Sequence, residues 1–248
     1  MIRRPHGYCL CAALLACVAY SQAPEPHKFE VASVKPSTAD DPGPKMDLAP
    51  SGSVNVNITP WMLIQMAYRV KDYQIAGAPK WLDKEFFRIV AKPPLGPVPA
   101  GQSAQNALFE ERMRYLLEER FHLVTHRETR NLPEYVLVVA KGGPKLKELA
   151  SDPGKFRLRF GKGFLTTGSG AKIAMLVSVL SNQLGAPVVD GTSGLDKYYD
   201  LQLKYPVEDD ANAGLFAALQ DQLGLKLESR KGPVEVLVID SMDRPAEN

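Results

Sequence analysis

One local plan occurs twice in this chain, and it limits the folds available. Phe216–Asp240 (FAALQDQLGLKLESRKGPVEVLVID) reads as an amphipathic helix, a glycine stop, a short strand, a tight turn and a buried strand. Tyr115–Val139 (YLLEERFHLVTHRETRNLPEYVLVV) follows the same order. A helix that ends on such a strand pair has one apolar stripe and one apolar sheet face to cover. Two such units call for mixed helix and sheet layers.

The residues around both units extend the parallel. In the first half, alternation predicts strands at Phe29–Lys35, Val54–Ile58, Tyr73–Ala76 and Phe86–Ala91. Thr59-Pro60 opens a helix over Trp61–Val70, with threonine as N-cap and proline tolerated at N1. A second helix spans Ala107–Arg120, with Phe109, Met113, Leu116 and Leu117 in one stripe. Strands at Phe121–His126 and Tyr135–Ala140 follow, joined by a turn around Asn131–Glu134. Ser37–Ser53 and Pro93–Gln105 are rich in proline and read as loops.

The second half opens with Phe156–Phe160 and Phe164–Thr167, a hairpin across Gly161-Lys162-Gly163. A helix over Lys172–Leu184 stops at Gly185. Strands at Pro187–Asp190 and Tyr198–Tyr205 precede a helix over Asp210–Leu223, which stops at Gly224. Leu225–Glu228 and Glu235–Asp240 close the chain around Gly232-Pro233.

Short matches tie the halves together. Leu82-Asp83-Lys84 aligns with Leu195-Asp196-Lys197, and Phe87-Arg88-Ile89 with Tyr199-Asp200-Leu201. Leu117, Phe121, His122 and Leu123 align with Leu219, Leu223, Gly224 and Leu225, and Glu134 falls against Glu235. The fold class is therefore α+β. Two tandem modules are expected, each a small mixed or antiparallel sheet packed with two helices. The first spans 24–145 and the second 146–248, divided in the polar, breaker-rich stretch Lys141–Gly154.

Residues 1–23 read as a signal peptide. Arg3 and Arg4 precede the apolar run Tyr8–Tyr20, and Ser21-Gln22-Ala23 has the small-residue pattern of a cleavage site. The run is shorter than the roughly 20 residues that a membrane span needs. Export to the periplasm or outside follows, with a lipid anchor at Cys17 as the competing reading. Cys9, Cys11 and Cys17, the only cysteines, all leave with the leader. The mature chain must then rely on its core instead of disulfides, and it excludes thiol catalysis and cysteine-bound metals. Losing Arg3 and Arg4 also brings 30 basic and 28 acidic residues into balance. A neutral chain without a basic run is a poor nucleic-acid binder.

Several stretches carry a family likeness. FEVASVKPS, AGAPKWLDKEFFRIVAK, LLEERFHLVTHRET, PVVDGTSGLDKYYDLQLKY and LQDQLGLKLESRKGPVEVLVID resemble an exported "soil-associated" family of unknown function, expanded in Acidobacteria-type genomes. The likeness runs over Phe29–Asn248 and brings no catalytic residues with it. The element order over Ala171–Ile239 also resembles the short N-terminal modules of secretins and TonB-dependent receptors, a likeness of pattern that bears on fold alone.

No constellation in the sequence reads as catalytic. His122 and His126 sit in a predicted strand, where residues four apart stand about 13 Å apart, too far to share a zinc ion. Asp190, Asp196 and Asp200 match no calcium loop and are read as turn and strand-end residues. Ser169 lacks a nucleophile elbow, and Glu118 and Glu119 point different ways on a helix. No cofactor or metal is expected. Trp61, Tyr73 and Trp81 are the binding candidates, because aromatic faces can form a sugar or peptide platform. The reading is a non-catalytic exported module for a protein or envelope component. The alternatives are an extracellular hydrolase with a site between the modules and a carbohydrate-binding protein. Oligomeric state is open.

Overall fold

The computed structural model describes residues 27–38, 43–150, 158–161, 163–167, 170–206 and 211–246. The expected leader, its cysteines and Ser169 lie outside these residues. The fold is mixed α+β.

In the first half, β1 (Val31–Pro36), β2 (Lys45–Leu48), β3 (Val54–Ile58), α1 (Pro60–Tyr68), β4 (Ile75–Ala76), β5 (Phe87–Lys92) and α2 (Gln102–Phe121) lead into a long strand, β6 (Val124–Val139). An antiparallel sheet in the order β1-β5-β3-β2 turns Val34, Val54, Val56, Ile58, Phe87 and Ile89 to one face. Leu63, Ile64 and Ala67 of α1 and Met113, Leu116, Leu117 and Phe121 of α2 fill the core against it. Thr59 caps α1 as expected, its Oγ1 accepting the Met62 N–H at 3.3 Å.

Three expectations in this half change. The strand expected over Tyr73–Ala76 is reduced to β4, because Tyr73 and Gln74 lie in a 3₁₀ turn, Asp72–Gln74. The loop Ser37–Ser53 contains β2, a four-residue strand hidden between prolines. The second helix starts at Gln102 instead of Ala107. Its N-cap is Gly101 at φ 88, with no side-chain cap, so no polar capping residue marks the start in the sequence.

The second half carries β7 (Lys147–Glu148), β8 (Leu158–Gly161), β9 (Phe164–Thr167), α3 (Ile173–Leu184), β10 (Val188–Asp190), β11 (Tyr199–Asp200), β12 (Gln202–Lys204) and α4 (Ala211–Ala218). A π-helical turn, Leu219–Leu223, then leads into β13 (Leu225–Ser241). β8 and β9 form the expected hairpin, and β12 adds to β9. The expected strand Tyr198–Tyr205 divides in two, because β11 pairs with β7 whereas β12 pairs with β9. Leu176, Leu180, Leu201, Leu203, Leu215 and Leu219 lie in a second core.

The largest departure concerns the ends of both halves. Each expected strand-turn-strand is one continuous strand. β6 and β13 pair antiparallel along their whole length, from Leu225–Val139 to Ser241–Val124. Pro133 and Pro233 do not break this ladder. Residues directly opposite alternate between hydrogen-bonded and non-bonded pairs. Ala140 N–H bonds the Gly224 carbonyl, so Pro133–Lys231 and Pro233–Asn131 fall at the non-bonded pairs. The ring nitrogens face away from the partner strand, where a missing N–H costs no ladder bond. Gly232 has its own reason. A Cβ there would stand 2.1 Å from Oε1 of Glu134, whose buried carboxylate lies across it and accepts Arg230 Nε at 2.5 Å.

Both long strands are entered through a left-handed residue, His122 at φ 49 and Gly224 at φ 65. His122 is thus the C-cap of α2 and not a strand residue. Its Cβ opposes this conformation, and its contact with Asp243 is highly exposed on both sides and weak. His122→Gly should therefore stabilise the fold by up to about 1 kcal/mol. A Cβ at Gly224 would meet the Gly143 carbonyl oxygen at 2.1 Å, so Gly224→Ala should cost more than about 2 kcal/mol. Urea unfolding of the two variants checks both signs.

Candidate functional site

The three aromatic candidates occupy two places. Trp61, in the first turn of α1, donates its indole N–H to Asp72 Oδ1 at 2.6 Å, and Gln65 Nε2 donates to the same oxygen at 2.9 Å. Asp72 opens a 3₁₀ turn, Asp72–Gln74, that joins the halves. Beside it Lys71 Nζ donates to Asn182 of α3, and Gln74 Nε2 donates to the Glu235 carbonyl at 3.0 Å. Tyr73 shares a side-chain hydrogen bond with Ser181. Burial pushes its hydroxyl pKa up, and the Ser181 bond opposes that shift. Trp61 and Tyr73 therefore flank a junction between α1, α3 and β13. Trp81 stands elsewhere, edge-on to Phe87 with ring centroids 6.1 Å apart. The Arg244 guanidinium lies 4.9 Å from its ring and forks onto Glu85 at 2.8 and 2.6 Å.

The other sequence candidates are spread over the surface. His126 Nδ1 lies 2.9 Å from the Asp240 carboxylate on the neighbouring strand. Asp190 Oδ1 accepts both the N–H and the hydroxyl of Thr192, at 2.9 and 2.6 Å, which closes a turn. Lys197, next to Asp196, pairs with Glu148 at 2.5 Å. Glu118 and Glu119 are exposed. Among the described residues no three histidine, aspartate or glutamate side chains converge as a metal site would require.

Concave surface occurs at both ends of the four-stranded sheet. At the end where β1 finishes and β5 begins, an open hollow of about 620 Å³ is lined by Pro36, Ser37, Asn57, Lys84 and Phe86. At the other end, the β2–β3 turn, the proline-rich segment after β5 and α2 enclose a cavity of about 370 Å³. Arg112 of α2 lines it and is only 9% exposed. The sequence reading passed over this residue. Arg112 lies three positions after Phe109 and four before Leu116, inside the apolar stripe of its helix. A charged residue on a buried stripe is the signal that could have found it.

The sheet edge is the third feature. β2 lies at the margin of its sheet, with β3 on one side. Met46 and Leu48 oppose the buried Val56 and Val54 in register, yet they are 48% and 42% exposed. The apolar face of the sheet thus continues past the helices that cover it. Ala49 N–H bonds the Ser53 carbonyl. By alternation, Met46 and Leu48 aim their own backbone N–H and C=O groups away from β3.

A family model described as "Protein of unknown function (DUF3738)" matches residues 61–242. The match runs from α1 to just past β13, so it takes in the second core and the four helices of the described residues but leaves out β1, β2 and β3 of the first core. It agrees with the uncharacterised family expected from the sequence motifs. No curated protein and no solved structure matches the chain.

The Glu85–Arg244 fork gives a pH-dependent reporter. The guanidinium hydrogen bond holds the Glu85 carboxyl below its ordinary value, opposed by desolvation and helped by the charge of Arg244. The pair is intact above the unfolded-state glutamate value and is lost as pH falls through the lower folded value. The chain has two tryptophans, so a Trp61→Phe variant leaves Trp81 as the only indole. Its emission should shift with a midpoint below the usual glutamate range. Arg244→Ala should remove that transition, which an acid fluorescence titration would read.

Proposed function

We propose that this chain, which belongs to the DUF3738 family of proteins of unknown function, is an exported, non-catalytic binding module. Its target is a protein or envelope component, recognised through the free edge at β2. One observation carries this reading: an edge strand in which outward backbone groups and exposed apolar side chains coincide at Met46 and Leu48. An extended partner segment can add a strand there. The main chain supplies the hydrogen bonds and the side chains supply selectivity. Natural sheet edges are commonly blunted by charge, proline or a bulge. β2 carries Lys45 and Asp47 on its polar face but leaves Met46 and Leu48 on the face continuous with the core.

The same reading takes the molecule as two related units that exchange strand ends. In its support, each half runs from a helix through a left-handed cap into a long strand. Short parallel pairings also recur in matching places, Ile75 opposite Leu237 and Val188 opposite Tyr135. Export rests on the leader pattern ending at Ala23. Within this reading the second unit is a scaffold, and the first presents the binding surfaces.

The test places a photo-crosslinking residue at Leu48 of the protein in its native envelope and compares capture with and without Met46→Pro. Proline at position 46 removes an outward N–H and spares the β2–β3 ladder. Capture of a defined partner should fall at least tenfold while the melting temperature holds. Capture that is indifferent to the proline would sink edge pairing.

A further inference from the structure

We infer that β2 pairs with β2 of a second copy of this chain, antiparallel about a two-fold axis at Met46. The inference rests on the edge-pairing reading above and names its partner. Among the described residues β3 is the one strand beside β2. The bond from Ala49 N–H to the Ser53 carbonyl sets the phase of their ladder. Lys45 and Asp47 therefore turn their backbone groups to β3, and Met46 and Leu48 turn theirs outward. Residues opposite each other in an antiparallel pair are both bonded or both non-bonded. A two-fold axis thus sets one residue of Lys45–Leu48 opposite its own copy, which limits the registers to the four residues of the strand.

Charge selects among these registers. Centred on Lys45, lysine meets lysine, and centred on Asp47, aspartate meets aspartate; like charges directly opposite are destabilising. Centred on Leu48, Lys45 and Asp47 face the partner's Ser51 and the partner's Ala49, and neither finds an opposite charge. Centred on Met46, Lys45 faces the partner's Asp47 and Asp47 faces the partner's Lys45, so both pairs are attractive. Both side chains are exposed, and their in-register neighbours on β3 are the neutral Asn57 and Asn55. Two opposite charges two residues apart on one face of an edge strand are self-complementary in this register and in no other.

The apolar face agrees. Met46 lands against its own copy and exchanges two backbone hydrogen bonds with it, and its flexible thioether adapts to such a self-contact. Leu48 comes beside the partner's Pro44, so the exposed pair Met46 and Leu48 is covered. Proline has no N–H to offer, which ends the new ladder. The two four-stranded sheets become one continuous sheet. A two-fold contact is closed and uses up the edge, so no third copy adds there. The contact is smaller than a standard interface, which places the dissociation constant at about 10–100 µM.

Sedimentation of the full chain over about 1–500 µM should show a reversible monomer–dimer equilibrium. Lys45→Asp and Asp47→Lys each set like charges opposite in both pairs, and each should weaken the dimer about tenfold or more. An equimolar mixture of these two variants restores both opposite-charge pairs and should dimerise as the unaltered chain does. So should the double variant Lys45→Asp/Asp47→Lys, which exchanges the charges within one strand. Met46→Pro should leave a monomer. The Met46 amide should gain protection from hydrogen exchange as concentration rises, whereas the Asp47 amide, bonded to β3, should be protected throughout. A chain that stays monomeric would overturn the second copy as partner. Proline-sensitive capture of a different protein at Leu48 would then leave edge pairing standing, whereas capture indifferent to proline would sink both. A dimer that survives Met46→Pro, ignores the single charge reversals or is not restored in the mixture would also overturn the inference.

Discussion

The antiparallel ladder between Val124–Val139 and Leu225–Ser241 is the constraint on which the rest depends. β13 contributes to both cores, whereas β6 contributes to the second and is entered from the first through Leu123. The first core includes Leu123 at the entry to β6 and Leu237 and Ile239 from the far end of β13, with Met242 just beyond. The second includes Leu137 from late β6 and Leu225 from the start of β13. Between these ends the ladder is largely exposed, with Glu128, Arg130, Arg230 and Lys231 along it. Its middle is held by backbone hydrogen bonds, by the Arg230–Glu134 pair and by buried Val234 and Val236, which belong to neither large core. Neither core can close until residues about a hundred positions apart have met, which makes the fold rich in non-local contacts.

This arrangement decides where surface is left over. The long strands take their remaining neighbours, β4 and β10, only near one end of each. The four-stranded sheet of the first half is not joined to them by strand pairing. It keeps two margins, β1 and β2, and two open ends. Both hollows lie at those ends, and the exposed apolar pair Met46 and Leu48 lies at one margin. The 3₁₀ turn carrying Tyr73 is committed to the junction through Lys71, Gln74 and Ser181. An aromatic residue that looks free in a sequence can be taken up by packing between elements that periodicity does not relate.

What was legible in the sequence follows physical locality. Caps and stops are local, so Thr59, Gly185 and Gly224 could be read directly. Amphipathic stripes are nearly local, so the four helices of the described residues were expected within about five residues of their ends. Strand continuity is not local. Whether Pro133 or Pro233 breaks a strand depends on which side of the partner its ring nitrogen faces, and that requires the register. Gly232 looked like a turn residue because Glu134, the side chain that needs the space, is on the other strand. His122 looked like a strand residue because histidine gives no cap signal as strong as glycine does. Of the site, the aromatic residues were visible as residue types, but Arg112 was hidden by the habit of assigning charge to solvent. Its place in the stripe Phe109, Arg112, Met113, Leu116 was the readable exception.

The same locality argument bears on how the cavity is made. A pocket formed by long-range packing alone would loosen whenever either core loosened. Here one wall is fixed by short-range bonds: Ala49 N–H to the Ser53 carbonyl, and Gly52 N–H to the Ala49 carbonyl. The opposite wall is fixed by proline geometry and by the Gln105–Pro99 bond. The third side is α2, anchored in the first core by Met113, Leu116 and Leu117. Arg112 is adjacent to Met113, so the helix that seats the core also sets the depth of the charge. Two of its walls thus need no distant contact, and they are joined by a helix seated in the first core.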